Sequence, residues 1–378
     1  MDNNATTPLA PAVAEKMSDL LSAYGNPSSA HSLGRAAAEM VAGARLSVAK
    51  LLGASGPDEI VFTSGGTESD NWAIKGALAA SPDKAHIITT RVEHEAVRRV
   101  CESLENEGLA RVSWLDVEGG GQLDLQQLSD AIEDDTALVS VMMANNETGV
   151  IFPIKEIAEI VHSRSAALLH VDGVNAAGKI AIDVRHLGVD LFSVSAHKFY
   201  GPKGIGALYI RGGVELPSFH VGGGQENGRR AGTEAVHQIA GAGVAADLAS
   251  DLSGIEAIRS RRDKLENAIL DSIPQTSVNG TRDPAGRLPN TSNISFEGLN
   301  GEMILHMLDE AGICVSTGSA CHAGSQGISP VLAAMNVAFA AAMGSIRFSF
   351  GRFNNDSDVD AVIDVLPDII GRLRAMAG

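Results

Sequence analysis

The chain alternates short apolar runs with stretches whose apolar residues recur every three to four positions. The runs have strand length: EIVFT (59–63), HIITT (86–90), VSWLDV (112–117), ALVSVMMA (137–144), ALLHVD (167–172), LFSVS (191–195) and IGALYI (205–210). Between them the periodic stretches predict helices around Ile74 and Leu78, from about Glu95, near Leu125 and near Ile154. Runs that are apolar throughout suit strands buried on both faces, so the pattern predicts an α/β fold with a mostly parallel sheet covered by helices. From Glu234 to about Ile273 a long helical pattern with small residues on one side predicts a connector. Beyond it, NISF (293–296), a helix from Gly301, a glycine-rich segment, SIRFSF (345–350) and a final helix from Asp356 predict a smaller α+β domain. The expected division is a large domain over 14–250 and a small domain built from 1–13 plus 251–378.

Composition narrows the function classes. The 378 residues are 44% hydrophobic and 20% charged, as expected of an ordinary globular protein, and the formal charge of −17 argues against a general nucleic-acid binder. The longest apolar runs are far short of a membrane span, and MDNNATTPLAP lacks the basic and apolar regions of a secretory signal. Cys101, Cys314 and Cys321 have no paired spacing, so the expectation is a reduced, cytoplasmic protein without disulfides. Cys101 and Cys314 read as core. Cys314, Cys321 and His322 have the wrong spacing for a metal site and no fourth ligand nearby, so no metal is expected.

Three candidate elements stand just past strand ends, where open parallel sheets bind ligands. TSGGTESDN (63–71) follows a strand and opens a helix, so its glycines and free N–H groups suit a phosphate; the competing reading is a helix cap from Ser64 or Thr67. Asp172 ends a buried strand, where an acid needs a cationic partner such as a pyridinium, unless it merely caps the next turn. Lys198, in SVSAHKFYGPKG (193–204), sits where partial desolvation would make a nucleophile towards an aldehyde, with Ser195 and His197 within reach of the same phosphate. A phosphate cup, an acid for a ring nitrogen and a lysine for an aldehyde are together the three handles of pyridoxal 5′-phosphate.

Nine motifs then appear in order: DNNATT (2–7), YGNPSSAHSLGR (24–35), FTSGGTESDN (62–71), VEHEAV (92–97), ANNETGV (144–150), SAHKFYGPKG (195–204), RRAGTE (229–234), GSAC (318–321) and SIRFSFGRF (345–353). Along nearly its whole length the chain resembles the cysteine desulfurases of the long cysteine-loop group, within the class V aminotransferase superfamily. The resemblance implies the fold type I of pyridoxal-phosphate enzymes, similar to aspartate aminotransferase. It implies that Lys198 bonds the cofactor aldehyde, Asp172 keeps the pyridine nitrogen protonated and His94 stacks on the ring and moves protons. Gly66, Thr67, Ser195 and His197 would bind phosphate and Asn146 would contact cofactor or substrate. Thr233 would reach the phosphate of the partner subunit in a homodimer. Arg347 would pair with the substrate carboxylate, assisted by Asn26.

By the same resemblance the substrate is L-cysteine, converted to L-alanine while Cys321 keeps the sulfur as a persulfide. The persulfide would go to a sulfur acceptor or scaffold protein for iron–sulfur clusters or thiolation. The small polar residues of STGSACHAGSQGIS (316–329) suit a tether carrying that sulfur. Alternatives on the same fold are a selenocysteine lyase or a class V aminotransferase, and Cys321 is what sets the desulfurase apart from them. The resemblance also makes Asn175 a cofactor-binding residue, its amide directed to the cofactor's phenolic oxygen; the chain departs from the usual pattern there, where the longer glutamine is usual, and at His322, where serine or threonine is usual. It also begins directly at DNNATT and ends soon after its last helix.

Overall fold

The structure is a computed structural model that describes residues 1–318 and 327–377. Cys321 and His322 lie outside the described residues. The apolar runs form a seven-stranded sheet: β1 (Ile60–Thr63), β2 (His86–Thr90), β3 (Arg111–Leu115), β4 (Thr136–Met142), β5 (Leu168–Asp172), β6 (Leu191–Ser195) and β7 (Gly206–Ile210), in the order β1-β7-β6-β5-β4-β2-β3. Neighbours run parallel except β7, which is antiparallel to both β1 and β6. Every residue of β1, β2, β4, β6 and β7 is buried, as uninterrupted apolar runs require of strands covered on both faces.

A second, antiparallel sheet contains β8 (Thr276–Val278), β9 (Thr291–Phe296), β10 (Ser316–Thr317) and β11 (Ser345–Ser349), in the order β10-β11-β9-β8. It carries its own core, in which Ile294, Phe296 and Phe348 meet Leu265 and Ile269 of the helix Ile255–Ser272 and Val362 and Leu366 of the helix Asp356–Ala377. Val331, Leu332, Met335 and Ala342 follow the second sheet's first three strands yet pack into the core of the first sheet.

The long helical pattern over 234–273 is two helices, Val236–Ala249 and Ile255–Ser272, not one. Ser250 folds its hydroxyl back onto the Ala246 carbonyl, Asp251 accepts from the Ser253 N–H, and Gly254 follows, which is turn chemistry that interrupts the helix. The small face of the first helix has a steric purpose. A Cβ on Gly243 would stand 2.6 Å from Cα of Ala44, so the helix Ser32–Leu52 can pack against it backbone to backbone.

Cys314 is a correction: it is exposed, not core. It stands in the extended segment between the helix Gly301–Glu310 and β10, where side chains alternate, and Val315 takes the buried side. Its Sγ lies 3.8 Å from Asp309 Oδ1. Cys101 is buried, on the helix Glu95–Asn106. Among the described residues no helix is long and apolar enough to cross a membrane, and no group of His, Cys, Asp and Glu side chains is arranged to hold a metal.

Candidate active site

The C-terminal ends of the central strands open on a cavity of about 430 Å³, closed on its far side by β10 and β11. Gly66, Thr67, His94, Asn146, Asp172, Asn175, Ser195, His197, Lys198 and Arg347 all line it, although they come from both sheets and from positions almost 300 residues apart.

At the floor, Asp172 ends β5 and accepts the Val174 N–H at 2.9 Å, so it does cap the following turn. That bond satisfies only part of a buried carboxylate, and among the described residues no lysine or arginine forms an ion pair with it. Burial, with the Asp70 carboxylate beside it, raises its pKa to about 6 against the pull of His94 and His170. His170 lies behind it, bonded to Ser140 and Ser193 hydroxyls at 2.8 and 2.9 Å and held neutral by burial, with its pKa lowered to about 4. Asp70, also on the cavity, has a buried Oδ1 without a hydrogen-bond partner, and burial raises its pKa to about 7. Glu93 is buried as well: its Oε1 accepts from Thr90 Oγ1 and the Met142 N–H, and burial pushes its pKa well above the carboxylate range.

One wall is the start of the helix Gly66–Ala80, and no side chain caps it. Neither Ser64 nor Thr67 takes that role; Glu68 bends back to the Ser64 N–H and pairs with Arg230 instead. The first N–H groups of this helix are left for a ligand. Gly206 lets β7 approach the turn, since a Cβ there would lie 2.7 Å from Cα of Gly65. Ser195 ends β6 beside this wall, and His197 holds Thr6 Oγ1 at 3.1 Å, its pKa lowered to about 4 by burial and the neighbouring lysines.

Lys198 follows β6 on a single 3-10 turn, Ala196–Lys198, and donates to the backbone carbonyls of Asn4 and of Ala5, the latter at 3.1 Å. The segment DNNATT is therefore a structural part of the site. Thr7 fixes the turn, with its N–H and hydroxyl on the His197 carbonyl and its Oγ1 accepting the Tyr200 N–H. Tyr200 has φ of 71°, an uncommon conformation for a residue with a side chain, and this turn holds it there. His94 caps the helix Glu95–Asn106 through Nδ1, which accepts the Ala96 N–H at 3.1 Å and places the ring proton on Nε2. The ring is open to the cavity yet surrounded by protein, so lost hydration keeps its pKa below the ordinary value despite Asp172.

On the facing sheet, Arg347 of β11 donates to the Asn146 carbonyl at 3.0 Å and pairs with Asp2 at 2.9 Å, while its Nε is buried without a hydrogen-bond partner among the described residues. The salt bridge and the place on the cavity coexist. Glu147 also lines the cavity, accepts the Ser329 hydroxyl at 2.6 Å, and has its pKa raised to about 7 by burial. Asn26 and Thr233 stand outside this cavity. Both are exposed, and Asn26 accepts the Ser28 N–H.

Sequence reasoning missed Asp2, Asp70, Glu93, Glu147 and Lys179. Asp70 could have been found, because it stands one helical turn after Gly66. Glu93 and Glu147 sit inside quoted motifs, but only their burial marks them.

The class-V aminotransferase family matches residues 1–362. A cysteine desulfurase of Trichormus azollae is 50% identical over 382 residues, covering 100% of this chain and 94% of that protein. Two solved structures are similar throughout. A NifS-like protein superposes with a TM-score of 0.91 at 37% identity, covering 98% of this chain and 99% of the other. SspA in complex with cysteine superposes with a TM-score of 0.81 at 35% identity, covering 94% and 99%. The chain belongs to the class-V aminotransferase family and, within it, to the cysteine desulfurases, enzymes that depend on pyridoxal phosphate.

Proposed function

We propose that this cavity holds pyridoxal 5′-phosphate and that Cys321 receives the sulfur of L-cysteine as a persulfide, leaving L-alanine. The observation carrying the reading is the convergence, in one cavity, of a helix start without a side-chain cap, a buried acid that no lysine or arginine pairs with among the described residues, and a lysine held on carbonyl oxygens. The three handles of the cofactor match these three features. Gly66, Thr67, Ser195 and His197 would bind the phosphate, Asp172 the ring nitrogen and Lys198 the aldehyde. His94 and Asn146 would complete the ring's surroundings. When bound, the cofactor supplies an electron sink for the substrate α-carbon.

The chain's own residues do the rest. Asp172, whose pKa lies near 6, carries its negative charge most readily when a cation sits against it, which favours a protonated ring nitrogen. Lys198 takes the α-proton, and Arg347 orients the substrate carboxylate with its planar fork. Arg347 is pre-oriented by Asp2 and the Asn146 carbonyl, each of which holds one of its terminal nitrogens. Cys321 attacks the substrate sulfur as thiolate: a sulfur–sulfur bond forms, and the carbon–sulfur bond breaks.

The finer assignments belong to the same proposal. The enzyme works as a cytoplasmic homodimer in which Thr233 reaches the partner's phosphate and Asn26 assists at the carboxylate. The large domain spans 14–250, and the small domain, 1–13 plus 251–378, carries the cysteine. The sulfur goes to an acceptor or scaffold protein for iron–sulfur assembly or thiolation. The test is alanine formation from L-cysteine with a thiol reductant, using cofactor-loaded wild type, Cys321→Ser and Lys198→Ala. Wild type alone should turn over, Cys321→Ser should keep the visible cofactor band, and Lys198→Ala should lose it. An active Cys321→Ser enzyme would overturn the persulfide step, and a retained band in Lys198→Ala would overturn the lysine's role.

A further inference from the structure

Lys179 is buried behind the cavity, beyond Asn175, and no carboxylate pairs with it among the described residues. Its Nζ donates to two oxygens of one residue, the backbone carbonyl and Oδ1 of Asn175, both at 2.8 Å. Burial pushes its pKa well below the lysine range, and Lys198 and Arg347 push it the same way. A methionine would fill such a volume without the desolvation cost, so packing alone does not account for a lysine here.

The hydrogen bonds do. The lysine has hydrogens for both acceptors whether charged or neutral, so Oδ1 of Asn175 is drawn inward in either state. The amide then has one orientation. Nδ2 points away from Lys179, one N–H reaches the Asn145 carbonyl at 3.3 Å, and the second is left over on a residue that lines the cavity. The turn after β5 makes the pairing local. Ala176 and Ala177 donate to the Gly173 carbonyl and Lys179 to that of Ala176, which brings residues 175 and 179 together as in one helical turn.

We propose that Lys179 is a positioning residue that acts through Asn175: it fixes the amide so that an N–H donor faces the phenolic oxygen of the cofactor ring. This rests on the cavity holding pyridoxal phosphate. The shorter amide of Asn175 serves because the lysine removes its freedom to flip.

The experiment is a double-mutant cycle of Lys179→Met and Asn175→Ala on the cofactor-loaded enzyme, read by the pH midpoint of its visible absorption band and by cofactor retention on dialysis. Losing a donor to the phenolic oxygen favours the protonated form of the bound chromophore. Each single variant should therefore raise the midpoint by about one pH unit and weaken retention about tenfold. The double variant should match Asn175→Ala alone. An unchanged midpoint in Lys179→Met, or additive effects in the double variant, would overturn the proposal. Urea unfolding of the same variants separates a purely structural role, which would lower stability and leave the midpoint in place. Should Lys179→Met not fold, Lys179→Gln takes its place in the cycle. A folded wild type without a visible band would refute the reading of the cavity itself, and the lysine's role with it.

Discussion

Asp70 is the acid whose titration should be easiest to isolate. It is buried at the floor of the cavity with Oδ1 unbonded, 3.5 Å from His170 Nε2, and burial raises its pKa from 3.8 to about 7. Between those two values the native chain keeps a proton that the unfolded chain has released. Native stability therefore falls as pH rises through that window and stays lower above it. From pH 5 to pH 8 the cost is the part of the rise lying above pH 5, about 2 pH units, or about 3 kcal/mol. Asp70→Asn removes the charge with almost no change of shape. Relative to wild type, the cofactor-free Asn variant should gain about 3 kcal/mol between pH 5 and pH 8. His170 titrates in both proteins and cancels in the difference, whereas the Asp70 charge also helps raise the Glu93 pKa, so Glu93 does not cancel and adds to the gain. Asp172 adds to the gain, because the Asp70 charge is one of the causes of its raised pKa. The assay is urea unfolding at pH 5, 6, 7 and 8 at constant ionic strength, for both proteins without cofactor. A stability difference flat in pH, or an Asn variant less stable than wild type at pH 8, would refute the reasoning.

Two further perturbations test other parts of the molecule. Arg347→Lys keeps the charge but loses the fork that spans Asp2 and the Asn146 carbonyl, so KM for L-cysteine should rise about tenfold or more, with the cofactor band unchanged; steady-state kinetics and a spectrum check both. In the second core, Glu266 accepts from Arg287, Arg282 and Ser292 while buried, so Glu266→Ala should leave the buried Arg287 with only the half-exposed Asp263, 3.9 Å away, and destabilise the protein by about 3 kcal/mol in urea unfolding.

The strands were legible because burial on both faces leaves no polar position to blur them. HIITT and LFSVS are β2 and β6 to the residue, and the other predicted strands differ only at their ends. The helices Pro11–Leu20 and Ser32–Leu52 left a weaker trace, since the second buries Ala37, Ala44 and Ala49 among larger residues and its apolar stripe is shallow. Strands as short as β8 and β10 have no periodicity to read. Cys314 was misjudged because an apolar neighbourhood does not say which side of an extended segment is buried.

Most of the cavity's chemistry lay at strand ends, where the sheet topology gathers residues that the sequence scatters. What stayed hidden were pairings between distant segments, such as Asp2 with Arg347 and Lys198 with the carbonyls of DNNATT. Asn175 marks the boundary between the two. Its departure from the usual glutamine was visible at once, and a lysine four residues later is a spacing any reader could note. Spacing alone, however, fits an exposed lysine equally well. Only burial turns that lysine into a constraint on the amide, and burial here depends on the turn after β5 packing under Phe199 and Ala249, which approach within about 3 Å of where a Cβ on Gly178 would stand. With φ of 74°, Gly178 is what lets the chain turn there and carry Lys179 inward. Gly178→Ala should therefore disturb the lysine's position as well as the packing, and the pH midpoint of the cofactor band should move with it. A Gly178→Ala enzyme that loses stability but keeps the wild-type midpoint would show that the amide of Asn175 does not depend on this turn.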